Sequence, residues 1–337
     1  MSKHTQRGFT LIEVMVAMTI GLIISALVVT IFSASSTTYH AADTLGALQE
    51  TGRVALDSID RDVQMAGFRG CNSNNVENSG PLINVITAPN AFSHDLGAAI
   101  QGHEYTGPGW TPALPPAITG AAPAPVAGSD VLVVRVAVGT PGTLSGPMVS
   151  ATSDIPLFSA AGFNANDTAF IADCNETAAF TVTGIAGTSL RHVVGAFNTN
   201  ASLGRVFDVD ALVMRFETHA YYVAPSSRNP ATETSLWMLS SAAAGPVEVV
   251  EDVEGLQIQY GEDTDADYVA NVFHKANAVV DFTQVVALQV NLLLRGAASN
   301  EAQMVTNYVF NGRTVVPADR YTRRVYTATI QLRNRTL

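Results

Sequence analysis

Charge and cysteine are scarce in this 337-residue chain: charged residues make up 14%, lysine and arginine number 18 against 29 acidic residues, and only two cysteines occur. Phosphate binding needs a basic stripe, and none is present, so nucleic acid is not expected as a main partner. No Gly-x-Ser-x-Gly elbow, His-Glu-x-x-His pair, Gly-x-x-x-x-Gly-Lys loop or Cys-x-x-Cys occurs. The motifs of nucleophilic, zinc, phosphoryl and dithiol chemistry are therefore missing, and the chain reads as non-enzymatic. Its seven histidines are scattered, and His103-Glu104 reads as a surface pair. Two further absences are local. No proline precedes Pro81, and residues 14–32 hold no Asp, Glu, Lys or Arg.

That charge-free run follows Arg7-Gly8-Phe9-Thr10-Leu11-Ile12-Glu13 and a short basic leader containing Lys3. Glu13 thus sits at the amino edge of a membrane-length helix. An ionised carboxylate there costs about 2.5–3.5 kcal/mol on insertion scales, so Glu13 calls for a positive partner from elsewhere. An ordinary secretory signal has a shorter apolar region followed by a cleavage site, whereas this run is about a bilayer long. A plain transmembrane anchor is the other bland reading, and it leaves residues 8–13 unexplained as a unit.

The helix is expected to continue beyond the apolar run. Leu45, Leu48, Ala55, Leu56, Ile59, Val63 and Ala66 recur at the three-and-four spacing of an amphipathic helix, and Asp43, Glu50, Arg53, Asp57 and Asp60–Asp62 fill other positions. Gly67 and Gly70 supply a stop. One helix over about residues 9–66 follows, with Gly21 and Gly52 read as points of flexibility or close packing.

Residues 71–128 change character, opening on Asn72-Ser73-Asn74-Asn75 and passing through a Pro/Gly/Ala-rich stretch at 107–125. This region reads as an ordered excursion or mobile flap rather than a boundary between independent domains. Strands are expected after it, at 131–138, 169–172 and 180–185, with a long hairpin from 212–223 and 236–239. Clean alternation marks 256–260, 286–294 and 326–332, as in half-buried antiparallel sheet. The fold class is α+β, a helical spine against sheet.

Asp263, Asp265 and Asp267 stand at alternate positions, as at the start of a calcium loop. The glycine expected next is Tyr268, and the bidentate position falls on His274. A solvated acidic hairpin turn is the preferred reading, with Ca²⁺ at these three aspartates the alternative.

The segment from Arg7 to Glu13 resembles the signal of type IV prepilins and type II secretion pseudopilins. This resemblance implies cleavage between Gly8 and Phe9 by prepilin peptidase, methylation of the Phe9 amine, and a Glu13 carboxylate that pairs with the Phe9 amine of a neighbouring subunit. Further pieces resemble the PilW-type minor pilins: Arg53-Val54-Ala55-Leu56-Asp57 through Ala66-Gly67-Phe68, Leu256 to Gly261 before an acidic loop, Leu292-Leu293-Leu294-Arg295, and Arg323-Arg324-Val325-Tyr326-Thr327 with Leu332-Arg333-Asn334-Arg335. The implied organisation is a leader at 1–8, a membrane or filament-core helix at 9–34, an amphipathic spine at 35–66 and a β-rich periplasmic domain at 67–337.

The implied fold is pilin-like, a long amino-terminal helix packed on antiparallel sheet. Lys3 and Arg7 hold their end in the cytoplasm, and their removal leaves 16 basic against 29 acidic side chains, or −13 before the termini. Cys71 and Cys174 suit one disulfide in an oxidising periplasm. The implied role is a subunit of a tip or priming complex that supports pilus assembly, twitching motility and adhesion. Its partners would be other minor pilins, the major pilin, a large tip adhesin-like protein and the inner membrane. Two alternatives stay open: a J-type minor pseudopilin of a type II secretion system, and a surface-binding module at the tip built on residues 71–128.

Overall fold

The computed structural model describes residues 10–70, 81–88, 92–296 and 307–335. It begins with α1 (Leu11–Met65), β1 (Leu82–Asn84), β2 (Ile100–Tyr105), β3 (Trp110–Thr111), the single-turn α2 (Pro116–Thr119) and β4 (Val131–Thr143). There follow β5 (Ile155–Pro156), β6 (Thr168–Ala172), β7 (Thr177–Thr181), β8 (Gly184–Ala186), β9 (Ser189–Arg191) and β10 (Leu212–Pro225). The remainder is β11 (Thr234–Ser240), β12 (Val247–Val250), β13 (Val253–Glu262), β14 (Val272–Lys275), a 3₁₀ turn (Phe282–Gln284), β15 (Val285–Arg295), β16 (Tyr308–Phe310), β17 (Arg313–Val315) and β18 (Arg323–Gln331).

The helix starts where a capping box stands: Thr10 accepts the Glu13 N–H, and the Glu13 carboxylate accepts the Thr10 N–H at 2.8 Å. Residues 11–35 are exposed throughout. Burial begins further along. Leu48, Gly52, Ala55, Ile59 and Val63 form one buried stripe, at the three-and-four spacing anticipated from the sequence. Each large apolar side chain buried this way contributes about 1.5–3 kcal/mol.

The helix ends as Ala66 turns extended and bridges Val136 of β4, while the Gly67 N–H donates to Arg135 O at 3.1 Å. Gly67 takes φ +69°, a left-handed conformation that its missing Cβ permits. Gly52 has a different reason to be glycine. A Cβ there would lie 2.8 Å from the Tyr326 ring of β18, so the residue is a close-packing site, while at Gly21 nothing lies within 4 Å.

Two sheets share the core with α1. Among the described residues the first has nine strands, in the order β1-β7-β6-β10-β4-β2-β3, with β11 and β12 added beside β10. β10 is its long central strand: it pairs β4 along its length, β6 at its start and β11 at its end, all antiparallel. The second sheet runs β14-β13-β15-β18, also antiparallel. Val134 and Val136 of β4, Ile258 and Tyr260 of β13, and Val290 and Leu292 of β15 join the α1 stripe in one apolar cluster.

The proline-rich stretch is an ordered excursion. Ile118 of α2 is fully buried against Val131, Val133, Tyr222 and Trp237, so the segment covers the face of the first sheet turned away from α1. Trp110 Nε1 donates to Ser129 O at 2.9 Å, and Tyr222 Oη to Pro123 O at 3.1 Å.

Two details differ from the sequence reading. The strand expected over 180–185 is divided between β7 and β8, because the chain changes partner there: the Val182 N–H donates to Asp167 O, before β6, and the Thr183 N–H to Arg191 O of β9. Gln257, expected to face solvent, is buried because the loop at 128–130 lies against it and accepts from its amide.

The glycine environments generate a test. Gly52→Leu should lower the stability of the domain by about 1–3 kcal/mol through overpacking against Tyr326. Gly46→Ala, at a helical site with nothing within 4 Å, should raise it by up to about 1 kcal/mol. Tryptophan fluorescence during denaturant unfolding of the full chain in detergent distinguishes the two.

Candidate functional site

Two places on α1 carry polar chemistry. At its start, Glu13 Oε2 accepts from Thr10 N at 2.8 Å and Thr10 Oγ1 at 3.0 Å. Among the described residues Oε1 has no partner within the chain, which leaves an acceptor facing outward from the helix start. Gly8 and Phe9 lie outside the described residues.

At the other end, α1 is fastened to the first sheet. Arg215, Glu217, His219 and Tyr221 alternate along β10, so they share one face of the strand. His219 Nδ1 lies 2.6 Å from Asp62 Oδ2 of α1, and its Nε2 lies 3.2 Å from Glu217 Oε2. Tyr221 Oη donates to the same Asp62 oxygen at 2.6 Å, and Ser240 Oγ donates to Glu217 Oε2 at 2.7 Å. Burial alone would lower the imidazole's pKa. The hydrogen bonds and charges of Asp62 and Glu217 outweigh it and raise His219 to about 9, so the ring is a cation at neutral pH.

A second fastening comes from the carboxy terminus. The Asn334 side-chain amide donates to Gln64 O at 3.0 Å and Ala66 O at 3.1 Å, satisfying carbonyls that the helix end leaves open. No basic residue occupies the last turn of α1, so this amide stands in for one.

The sequence reading missed both fastenings. His219 was one histidine among seven, and the available signal was the polar alternation Arg215-x-Glu217-x-His219-x-Tyr221 in an otherwise apolar strand. Asn334 offered no local signal, since its partners are about 270 residues away in sequence.

Cys174 lies in the turn between β6 and β7 and is not a free thiol. Cys71 lies outside the described residues, but the neighbouring Gly70 is close to this hairpin: a Cβ on it would stand 3.6 Å from the Ala172 side chain. In the acidic loop, Asp263, Asp265 and Asp267 present oxygens within 4.8 Å of one another. Asp263 already accepts four backbone N–H groups, from residues 265 to 268, which is how a tight turn satisfies a carboxylate. His274 is paired with Glu262 at 2.7 Å.

A long, half-exposed amino-terminal helix packed by its second half on antiparallel sheet, preceded by the prepilin-like signal, defines the type IV pilin-like class. Residues 3–29 match the prokaryotic N-terminal methylation motif, and residues 220–334 match the family described as type IV pilus-assembly protein W. The chain accordingly carries a prepilin-like amino-terminal signal and a carboxy-terminal third similar to the PilW family. Pilin-like protein PilA3 of Thermus thermophilus is 39% identical over 70 residues, 21% of this chain and 30% of that protein's own length. No solved structure matches the chain.

The His219 geometry predicts a pH dependence. A histidine raised from 6.5 to about 9 gives stability that is complete below pH 6.5 and lost as pH rises through 9. His219→Gln should therefore cost on the order of 3 kcal/mol at pH 6 and much less above pH 9.5. Denaturant melts of the two full-length proteins across that window check it.

Proposed function

We propose that this chain is a minor pilin: a structural, non-enzymatic subunit of a type IV pilus, acting in a tip or priming complex that supports pilus assembly, twitching motility and adhesion. The observation that carries the reading is the division of α1. One continuous helix is wholly exposed over residues 11–35, where Glu13 is the one charged residue, then built into the core of a β domain by the stripe from Leu48 to Val63. Such a helix is long and apolar enough to cross a membrane, and the same surface suits a filament core where neighbouring helices take the place of lipid.

On this reading residues 1–8 are a leader removed by prepilin peptidase, 9–34 the membrane and filament-core helix, 35–66 the spine and 67–337 the periplasmic domain. The inner membrane holds the subunit before assembly places it at the cell surface. Other minor pilins, the major pilin and a large tip adhesin-like protein are its partners. Cys71 and Cys174 form a disulfide that ties the chain after the spine to the β6–β7 turn. The open Glu13 oxygen receives the methylated Phe9 amine of an adjacent subunit, a charge-assisted contact in a water-poor core.

A binding role at the tip is the second reading, favoured by one feature. A cleft of about 780 Å³ lies between the excursion, with Phe92, Pro115 and Pro116, and the end of β11 at Leu239. Its size suits a small ligand or a peptide side chain.

Mass spectrometry of the mature protein should begin at N-methylated Phe9, and non-reducing peptide maps of the same sample should contain the Cys71–Cys174 pair. A mature start after residue 25 would refute pilin processing. Glu13→Ala should leave cleavage and membrane level unchanged, since loss of a charge eases insertion, while lowering the protein's content in sheared pili several-fold. Normal incorporation of the variant would show that Glu13 is dispensable.

A further inference from the structure

The two sheets are joined where the loop at 128–130 enters β4. β14 pairs β13 only from Gln259 to Glu262, so the earlier part of that edge needs other partners. The loop supplies them. Ser129 Oγ accepts the Leu256 N–H at 3.0 Å, Asp130 Oδ2 accepts the Ile258 N–H at 2.9 Å, and the Asp130 N–H donates to Leu256 O at 2.8 Å. A short stretch of polar loop thus stands in for a neighbouring strand.

Glu104 of β2 reaches the same seam. Glu104 and Asp130 are 4% and 2% exposed, and the N–H of Tyr105, next to Glu104 on β2, donates to Asp130 Oδ1 at 3.3 Å, which sets the two carboxyls in one seam. Lys275 Nζ holds Glu104 Oε1 at 2.7 Å, but Glu104 Oε2 is buried with no partner, as is the hydroxyl of Tyr260, whose ring presses on β2 at Gly102. Among the described residues, the other charged and titratable groups around the seam supply no second cation. From β14, His274 is paired with Glu262 of β13; from β2, His103 is lowered by burial and contacts Pro112 O at 2.8 Å; from β4, Arg135 is paired with Asp95. Two buried carboxyls meet in the seam, and its one lysine is bonded to Glu104.

We propose that Glu104 and Asp130 hold a proton between them and form a proton-dependent latch joining the two sheets. The shared proton gives Glu104 Oε2 the hydrogen bond it otherwise lacks. Its loss sets two buried carboxylates against each other, and the strain is relieved by withdrawing the 128–130 loop from β13. Burial and then the Glu104 charge push Asp130 up to about 7, against the Ile258 and Tyr105 N–H groups that favour its ionised form. A carboxyl raised on folding favours the closed seam most at low pH, and this advantage declines between the ordinary value of 3.8 and about 7.

The test is hydrogen exchange of the full chain in detergent, corrected for intrinsic rates, followed in peptides covering 254–260 with β15 as internal reference. With one carboxyl moving from 3.8 open to about 7 closed, the opening constant of the seam should rise about thirty-fold between pH 5.5 and 8.5, most of it below pH 7.5. Glu104→Gln, which keeps the hydrogen-bonding reach and removes the charge, should reduce that rise to less than about threefold. Lys275→Met, at a partly exposed side chain, should move the midpoint to higher pH, because the pair then loses its single cation. A wild-type seam whose protection is flat over this range relative to β15, or whose rise persists unchanged in Glu104→Gln, overturns the latch. The wild-type profile decides the matter alone where a variant does not fold.

Discussion

A helix that leaves its domain halfway along must be held by the half that remains. Residues 11–35 of α1 find no cover among the described residues, so the direction of the outer segment is set by the stripe from Leu48 to Val63 and the last turn. The geometry amplifies any looseness there: about 35 residues of helix make a lever of roughly 50 Å, and a tilt of about 5° at the domain moves its far end by about 4 Å. Apolar packing restrains displacement but is non-directional. Directional groups accordingly gather at the end of the helix, where Asp62 meets His219, Ala66 bridges Val136, and the Asn334 amide takes the terminal carbonyls.

These fastenings join the part of the chain that matches the PilW family to the part that matches neither family description. Residues 220–334 build the second sheet and supply Tyr221 and Asn334, while Asp130, Glu104 and β4 come from the middle of the chain. β10 runs across the boundary, with His219 just before it and Tyr221 just inside. The middle region is therefore no appendage. Its strands β4 and β2 line the same apolar cluster as α1 and β13, and its loop at 128–130 completes the edge of β13. Removal of the middle would expose the core of the matched region.

How much of this was legible in the sequence depended on whether the signal was periodic. The helix, its buried stripe, the 212–239 hairpin and the three alternating strands of the second sheet all announce themselves by spacing, because one face of each meets the core. β2 was missed, and His103-Glu104 read as a surface pair although both are buried, because Gly102, His103 and Glu104 interrupt any apolar alternation. The reason lies across the sheet boundary: Gly102 makes room for Tyr260, and Glu104 is answered by Lys275, some 170 positions away. His219 and Asn334 were hidden in the same way, since a polar residue's role is set by its partner and the partner is remote in sequence. Glu13 was the exception among polar residues. Its surroundings are local, a charge-free run on one side and a capping threonine on the other.

In a chain with so few charges, the buried ones carry disproportionate weight. Two buried clusters fasten α1 and the two sheets, and their polarity is opposite: one cation, His219, stands between two acids, while of the two acids Glu104 and Asp130 only Glu104 is bonded to a lysine. Both arrangements are satisfied when protons are plentiful, the first because the imidazole must be charged and the second because two adjacent carboxylates cannot both ionise cheaply in a dry seam. The clusters also act on different joints, the first between spine and sheet and the second between sheet and sheet. As pH rises, the seam's advantage declines between 3.8 and about 7 and that of the spine joint between 6.5 and about 9, so the domain's interior yields before the helix that carries it.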